Sequence, residues 1–128
     1  MRSVAIYPTE ELEKIMKKPV VTVQPSDSVR RAAELMQQHD VGSAVVVEDS
    51  KPVGILTERD YIRIVAGGHT PDTKVKTVMS TPVVTCEANK KAADAFVLMA
   101  LKRIDHLPVT ENGLLVGIVA VRDLFFWW

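Results

Sequence analysis

The chain has 128 residues, of which 47% are hydrophobic and 25% charged. These proportions are typical of a folded globular domain and exclude a disordered, collagen-like or disulfide-dense chain. Sixteen basic residues balance sixteen acidic ones, which argues against a nucleic-acid-binding surface. Cys86 is the single cysteine, so an internal disulfide is impossible. No apolar region follows Met1 and Arg2, and no apolar run approaches the roughly 18 to 20 residues of a membrane span. We therefore expect a cytoplasmic protein without membrane contact.

The chain repeats itself at an offset of 63 residues. Residues 16–22, MKKPVVT, match residues 79–85, MSTPVVT, and residues 54–60, GILTERD, match residues 117–123, GIVAVRD. Of 51 aligned pairs, 15 are identical, against about three expected from average composition. The sequence thus predicts an N-terminal extension (1–14), a first repeat (15–66), a linker (67–77) and a second repeat (78–128).

The predicted elements of the first half follow from short β-branched runs and from apolar residues at helical spacing. In the extension, residues 4–6 read as a short strand and residues 9–14 as a short helix. The first repeat then has a strand at 20–23 and a helix that begins at a Ser26 or Asp27 cap and ends near residues 40–42. Strands at 44–47 and 53–56 follow, and Thr57 starts a second helix.

The second repeat reads in the same order, with a strand at 83–86, a helix at 90–102 and strands at 107–110 and 115–119. A final helix is predicted over 121–128. Each repeat is thus β-α-β-β-α. A unit of about 50 residues buries too little apolar surface to be stable alone. We therefore expect an α+β fold in which the tandem repeats pack sheet to sheet with pseudo-two-fold symmetry, leaving two equivalent clefts at their junction.

A threonine and an aspartate stand at the strand-to-helix junction of the first repeat. A helix N-terminus offers unpaired N–H groups to a phosphate, and the Asp60 carboxylate can accept two hydrogen bonds from the vicinal hydroxyls of a ribose. Thr57 adds a hydroxyl, and Gly54 permits close approach of the backbone. The same Thr-x-x-Asp pattern also matches a capping box, in which Asp60 only stabilises the helix start. The first repeat alone leaves both interpretations open.

The second repeat keeps the aspartate, as Asp123, but has Ala120 where the capping hydroxyl would be. Capping therefore cannot explain Asp123 in the way that it explains Asp60. The helix macrodipole also favours an acidic residue at this place. The pattern thus favours ligand binding and leaves the structural interpretation standing.

The duplicated β-α-β-β-α pattern, with its matching Met-x-x-Pro-Val-Val-Thr openings and Asp-terminated endings, resembles a CBS domain pair, also called a Bateman module. The resemblance spans residues 15–128. It implies a non-catalytic regulatory module that binds an adenosine-containing ligand such as AMP, ADP, ATP or S-adenosylmethionine. Trp128 aligns with Val65, so we expect a stand-alone module. The possible acid/base groups Asp60, Asp123 and His106 are divided between the two clefts and form no convincing catalytic set.

The resemblance also implies two clefts, each of which takes its ribose-binding aspartate from one repeat and its adenine-facing wall from the other. Cleft A is expected to use Ile55, Thr57, Asp60, Met79, Pro82, Val83, Val84, Ile104, Asp105 and Arg122. Cleft B is expected to use Met16, Pro19, Val20, Val21, Val41, Gly42, Arg59, His106, Ile118 and Asp123. Arg122 would reach the phosphates in cleft A, and His106 and Arg59 in cleft B. Where the family often has a phosphate-binding cation, cleft A has Ser43; because cleft B lacks a hydroxyl at Ala120, cleft A is expected to be the better adenosine site.

The remaining motifs are less informative. No His, Cys or acidic set has the spacing of metal ligands, and Cys86 aligns with Val23 as a buried strand residue rather than a nucleophile. Four of the seven aromatic residues end the chain, namely Phe125, Phe126, Trp127 and Trp128. One helical face cannot bury all four, and the resemblance implies a homodimer formed through the final helices.

A second function remains open on the sequence. The residues at Ala120 and Ser43 are compatible with degenerate clefts, in which case the chain is a dimerisation or protein-docking scaffold that binds no ligand. An unidentified regulated protein is an expected partner in either case.

Overall fold

The computed structural model describes residues 4–6 and 9–127, and it describes side chains for residues 9–125. These residues form an α+β fold, as the sequence predicts. The strands are β1 Val4–Ile6, β2 Thr22–Val23, β3 Ser43–Glu48, β4 Lys51–Thr57, β5 Cys86–Glu87, β6 His106–Glu111, β7 Leu114–Ala120 and β8 Phe125–Trp127. The α-helices are α1 Leu12–Ile15, α2 Val29–His39, α3 Glu58–Ala66, α4 Val75–Val78 and α5 Ala92–Lys102, and a 3₁₀ helix spans Val121–Leu124.

The chain divides into two compact units. The central unit is Val20–Val83, and the terminal unit combines Met1–Pro19 with Val84–Trp128. Each unit contains most of one repeat together with the segment that opens the other repeat. Helix α1 ends at Ile15, the first residue of the first repeat, but belongs to the terminal unit. Helix α4 begins inside the predicted linker 67–77 and belongs to the central unit.

The observed elements repeat at the same offset of 63 residues as the sequence. This holds for α1 and α4, α2 and α5, β3 and β6, and β4 and β7. The local backbone repeats too, because Asp40 and Arg103 both end their helices in the left-handed conformation, with φ of 52° and 56°. Helix α2 begins at Ser28, whose hydroxyl accepts the Arg31 N–H at 3.0 Å, so the predicted cap at Ser26 or Asp27 is placed slightly too early.

In the central unit, β3 lies between its two neighbours, parallel to β2 and antiparallel to β4. The β3–β4 hairpin turns at Asp49 and Ser50, which have positive φ values of 50° and 64°. The apolar faces of α2, α3 and the sheet form one core, and α4 adds Val75 and Val78 to it. This core holds strand β4 and helix α3 in place, and Thr57 and Asp60 lie at their junction.

The terminal unit has the same sheet order, β5-β6-β7. Its hairpin turns at Asn112 and Gly113, where positive φ values of 53° and 82° suit the Asn-Gly pair. Leu12 of α1 is fully buried in the core of this unit, against residues of α5, β6 and β7. The N–H groups of Leu12 and Glu13 donate to the carbonyls of Lys90 and Ala88, which anchors α1 beside the start of α5.

The final helix predicted over 121–128 is wrong. Only Val121–Leu124 is helical, as a single 3₁₀ turn, and Phe125–Trp127 forms β8. Strand β8 pairs antiparallel with β1, with Ala5 opposite Phe126. Aromatic residues favour extended backbone, and the N-terminal strand supplies the hydrogen-bonding partner. Trp128, one of the residues predicted for the dimer contact, lies outside the described residues, as do the side chains of Phe126 and Trp127.

The longest helices of the described residues, α2 and α5, have 11 residues each. Within the described ranges, no helix is long and apolar enough to cross a bilayer.

Candidate functional site

The carboxylate of Asp60 lies at the start of α3, immediately after β4, and Asp60 is only 8% exposed. Its Oδ2 accepts the backbone N–H of Thr57 at 2.9 Å and the Thr57 hydroxyl at 3.2 Å. The Thr57 hydroxyl in turn accepts the Asp60 N–H at 3.4 Å. These bonds form the capping box that the Thr-x-x-Asp spacing allows.

The segment that opens the second repeat lies alongside β4 in the central unit. Ser80 and Ile55 exchange two backbone hydrogen bonds, of 2.9 and 3.1 Å. Met79 covers Gly54, so closely that a Cβ at Gly54 would come within 2.9 Å of Met79 Cγ and 3.2 Å of the Ser80 carbonyl. The predicted cleft A residues Ile55, Thr57, Asp60 and Met79 are therefore brought together within one unit. We name this group, with Arg63 and Ser80, the Asp60 site.

Two further side chains complete the Asp60 site. The Ser80 hydroxyl donates to Asp60 Oδ1 at 2.9 Å, and Arg63 Nη2 donates to the same oxygen at 3.0 Å. The same Arg63 nitrogen also donates to the Val78 carbonyl at 2.9 Å. Helix α3, the carboxylate and residues 78–80 are thus joined by one hydrogen-bond network.

The N-terminus of α3 is partly satisfied by the protein itself. The Glu58 N–H donates to the Gly42 carbonyl at 3.1 Å, and Ser43 pairs with Thr57 across the sheet. Gly42, predicted for cleft B, therefore lies beside Thr57, predicted for cleft A, within the same unit. One of the N–H groups that a phosphate could use is consequently already bound.

The terminal unit holds a matching group made up of Asp123, Ala120, Ile118, Lys17 and Met16. We name this group the Asp123 site. Asp123 Oδ2 accepts the Ala120 N–H at 2.8 Å. Asp123 therefore makes half of a capping box even though Ala120 offers no hydroxyl, a contact that the sequence argument did not anticipate. Lys17 and Ile118 exchange backbone hydrogen bonds of 2.8 and 3.1 Å. Met16 covers Gly117 so closely that a Cβ at Gly117 would lie 2.7 Å from Met16 Cγ.

Two more polar side chains lie beside the Asp123 site. His106 pairs with Ala120 across the sheet, and His106 Nδ1 lies 2.9 Å from Asp105 Oδ1. The Asp105 backbone carbonyl accepts the Val121 N–H at 3.0 Å, as Gly42 does for Glu58 in the other unit. His106 thus lies opposite Ala120, the residue whose N–H Asp123 accepts, at the place where the central unit has the buried Ser43.

The predicted residues are distributed over both units. The central unit contains Ile55, Thr57, Asp60, Met79, Pro82 and Val83 of cleft A, and Val20, Val21, Val41, Gly42 and Arg59 of cleft B. The terminal unit contains Val84, Ile104, Asp105 and Arg122 of cleft A, and Met16, Pro19, His106, Ile118 and Asp123 of cleft B. Within each unit, the aspartate is thus accompanied by the methionine segment predicted for the same cleft.

Ser80 and Arg63 are the site residues that sequence reasoning missed. Their partners at the offset of 63 residues are Lys17 and Phe126, so the repeat comparison gives no signal for either. Ser80 follows Met79 directly in the opening motif, and Arg63 lies one helical turn after Asp60. The i,i+3 spacing of an acid and an arginine is the one cue that the sequence holds for this ion pair.

Two pKa shifts describe the surroundings of the sites. Burial raises the pKa of Tyr61 to about 12, and the neighbouring charge of Asp60 adds to the increase. The Tyr61 hydroxyl donates to the Val29 carbonyl at 2.6 Å, which ties α3 to α2. Burial likewise raises the pKa of the Cys86 thiol, with a further contribution from Asp94. A thiol that stays protonated is a poor nucleophile, in line with a structural role for Cys86.

Among the described residues, no group of three or more His, Cys, Asp and Glu side chains is arranged to hold a metal ion.

Two sheet-and-helix units built from one duplicated sequence, each with an acidic residue at the helix start that follows its central hairpin, define a tandem-repeat module. The CBS domain family model matches residues 12–67 and 75–127. The chain therefore belongs to the CBS domain family and carries two CBS domains, which confirms the resemblance read from the sequence.

Known relatives include both small proteins and parts of enzymes. The CBS domain-containing protein YhcV of Bacillus subtilis is 44% identical over 110 residues, which are 85% of this chain and 79% of YhcV. An inosine-5'-monophosphate dehydrogenase of Korarchaeum cryptofilum is 34% identical over 89% of this chain but only 23% of the enzyme. Among solved structures, the CBS domain protein PAE2072 of Pyrobaculum aerophilum, complexed with AMP, is 27% identical with a TM-score of 0.83, and the match covers 90% of each chain.

Proposed function

We propose that this chain is a non-catalytic, cytoplasmic regulatory module whose Asp60 and Asp123 sites bind the ribose of an adenosine-containing ligand. AMP is the first candidate, and ADP, ATP and S-adenosylmethionine belong to the same class. The observation that carries the proposal is the repeated arrangement of an aspartate at a helix start beside a methionine-covered glycine strand. Two such arrangements, at Asp60 with Gly54 and at Asp123 with Gly117, occur at equivalent places in the two units.

The chemistry of these sites suits a nucleoside. An ionised carboxylate is an acceptor only, and two of its lone-pair positions match the two hydroxyls of a ribose. Met79 and Ile55 lie on or beside the strand that leads to Asp60, Met16 and Ile118 on or beside the strand that leads to Asp123, and all four are half-buried, which suits the face of a purine. The AMP complex of PAE2072 supports the choice of ligand. The other residues predicted for clefts A and B remain part of the proposal.

The phosphate contacts belong to the same proposal. His106 lies beside the Asp123 site, and the exposed Arg59 and Arg122 lie at the starts of their respective helices. A protonated imidazole or a guanidinium stabilises a phosphate through charge-assisted hydrogen bonds. Because the net charge is zero, recognition of the anion depends on these local groups.

Calorimetric titration of AMP, ATP and S-adenosylmethionine into the purified full chain tests the proposal. We expect heat of binding and a raised unfolding temperature with at least one of the three. The double variant Asp60→Asn, Asp123→Asn should lose the binding while retaining the fold, because asparagine keeps the shape but not the charge of each side chain. Absence of both heat and stabilisation with all three ligands would refute the function.

An alternative function, a docking or dimerisation scaffold, is favoured by a separate observation. In the central unit, a groove of about 330 Å³ lies between α2 and α3 and residues 69–71, with Val65 and Tyr61 in its lining. Ile62 and Val65 of α3 are 73% and 75% exposed, and Leu101 of α5 in the terminal unit is 75% exposed. Since the predicted C-terminal helix is not formed, these helix faces replace it as the surfaces that we propose for self-association.

A further inference from the structure

The two aspartates that we propose as ribose acceptors are in different states. Each oxygen of the Asp60 carboxylate has two donors, which are Thr57 N–H and Oγ1 on Oδ2, and Ser80 Oγ and Arg63 Nη2 on Oδ1. A carboxylate has about four lone-pair positions for acceptance. All of the positions at Asp60 are therefore engaged by the protein itself.

Asp123 is less engaged. The Ala120 N–H is the one donor that the structure gives it among the described residues. The counterpart of Thr57 is Ala120, which has no hydroxyl, and the counterpart of Arg63 in the sequence is Phe126, whose side-chain type has no donor. Lys17, the counterpart of Ser80, is exposed and makes no described hydrogen bond to Asp123. Within the described part of the chain, the other lone-pair positions of Asp123 thus remain available to a ligand.

The contacts that fill Asp60 also restrain the neighbouring segment. Arg63 bridges Asp60 Oδ1 and the Val78 carbonyl, and Ser80 is held by Ile55 through its backbone and by Asp60 through its hydroxyl. A vicinal diol needs two acceptor positions, so it can bind Asp60 in full only after two of the three side-chain donors, Ser80, Arg63 and the Thr57 hydroxyl, have given up their bonds. Breaking a hydrogen bond to a charged group opposes binding by more than breaking a neutral one.

We propose that Ser80 and Arg63 act as a latch on Asp60, so that the Asp123 site takes the ribose of an adenosine ligand first and the Asp60 site takes it only when the latch is released. This rests on the proposed function, and it reverses the order of the two sites that the sequence alone favours. Ser80 and Arg63 are positioning residues, because they compete with the ligand for one carboxylate oxygen. Release of the latch also frees residues 78–80 from α3, so occupancy of the Asp60 site changes how that segment is held.

The experiment isolates the Asp60 site by placing the full chain in an Asp123→Asn background and titrating AMP by calorimetry. Removing one competing donor with Ser80→Ala should tighten AMP binding roughly two- to tenfold. Arg63→Gln should act in the same direction. A role in folding alone would weaken binding on truncation, so a gain in affinity distinguishes the latch from a purely structural contact.

Two matched controls accompany these variants. Thr81→Ala removes the neighbouring hydroxyl, which donates to the Val53 carbonyl and not to Asp60. Arg30→Gln removes an arginine of the same unit that pairs with the exposed Asp72. Both should leave AMP affinity in the Asp123→Asn background unchanged, and thermal unfolding of every variant verifies the fold.

The outcomes separate the latch from the proposed function. The wild type has two sites, and the latch predicts that the site with the higher AMP affinity is the Asp123 site. If the higher-affinity binding is lost in Asp60→Asn but kept in Asp123→Asn, the latch is wrong and the function stands. Unchanged or weakened affinity in Ser80→Ala and Arg63→Gln likewise overturns the latch alone. If the wild type binds none of AMP, ATP and S-adenosylmethionine, the function fails and the latch fails with it.

Discussion

The side chain of Met79 lies directly over the backbone of Gly54, and Met16 lies in the same way over Gly117. Gly54 and Gly117 need no positive φ, since their backbones are those of ordinary strand residues. Glycine is therefore required at these places for space and not for backbone freedom. The pair defines how closely the opening segment of one repeat approaches the strand of the other.

We expect Gly54→Ala to destabilise the protein by about 1–3 kcal/mol, because the added methyl group meets Met79 and the Ser80 carbonyl. Chemical unfolding monitored by circular dichroism measures the change. In a double-mutant cycle with Met79→Ala, the double variant should be destabilised by less than the sum of the two single variants, since Met79→Ala removes the side chain that the methyl group meets. Strict additivity of the two changes would contradict the proposed contact.

At the starts of α3 and of the 3₁₀ helix, we expect removal and addition of one hydroxyl to have opposite effects on the free energy of unfolding. Thr57→Ala removes the group that accepts the Asp60 N–H, and we expect a loss of about 0.5–2 kcal/mol in unfolding free energy. Ala120→Thr adds the missing hydroxyl beside Asp123, where Ala120 has φ −95° and ψ 157°, close to the backbone of a threonine cap. This substitution should stabilise the chain by less than Thr57→Ala destabilises it.

Urea unfolding of both variants at neutral pH gives the comparison. Ser28→Ala serves as a positive control for cap removal, because the Ser28 hydroxyl accepts the Arg31 N–H at the start of α2. A destabilising Ala120→Thr would show that the start of the 3₁₀ helix has no room for the hydroxyl.

Tyr61 predicts a stability change at alkaline pH. Its pKa is raised from 10.0 to about 12 by burial, so the unfolded chain loses this proton at a lower pH than the folded chain does. The contribution is complete below pH 10 and is lost as the pH rises from 10 to 12. Tyr61→Phe should remove this part of the pH dependence and, at neutral pH, cost about 0.5–1.5 kcal/mol for the lost bond to the Val29 carbonyl.

Unfolding curves of the wild type and Tyr61→Phe at several pH values from about 8 to about 12 test this. In the difference between their free energies of unfolding, the contributions of the other titrating groups cancel. The gap between them should narrow as the pH rises. A gap that stays constant over the whole range would contradict the assignment.

The exposed apolar side chains predict self-association. If Ile62 and Val65 on α3 and Leu101 on α5 contact a second copy, their replacement by glutamate should shift the equilibrium toward monomer, because a buried unpaired charge opposes association. Analytical ultracentrifugation over a range of concentrations measures it. Glu58→Gln, at an exposed position of α3, is the control. A wild-type chain that is monomeric throughout would refute this surface.

The sequence was sufficient for the hairpins and the long helices, because their patterns are local. The β-branched runs and the Asn112-Gly113 pair predict the hairpins, and the repeat gives each element twice. The end of the chain was predicted wrongly because the repeat transferred helix α3 onto residues 121–128, whereas Phe125–Trp127 pairs with Val4–Ile6. That pairing joins the two ends of the chain, and no local pattern reports it.

In the sites, too, the sequence predicts the local contacts and misses the long-range ones. Asp60 and Thr57 are three residues apart, so their capping box could be foreseen. Ser80 reaches Asp60 from 20 positions further along the chain, and only the folded path of residues 78–80 beside β4 brings it there. Likewise, the bond from the Ala120 N–H to Asp123 depends on the backbone geometry of the helix start. It forms although Ala120 has no hydroxyl, so the residue type at position 120 does not predict it.

The chain divides into a continuous central unit and a discontinuous terminal unit. The bounds of these compact units therefore differ from the bounds of the duplicated sequence. A fragment that ends in the linker after the first repeat contains Asp60 but lacks Met79 and Ser80, and it carries α1 without the core around Leu12. Cutting the gene at its visible repeat boundary therefore divides both compact units at once. Residues 20–83, whose bounds coincide with those of neither repeat, are the single uninterrupted stretch that carries one complete unit.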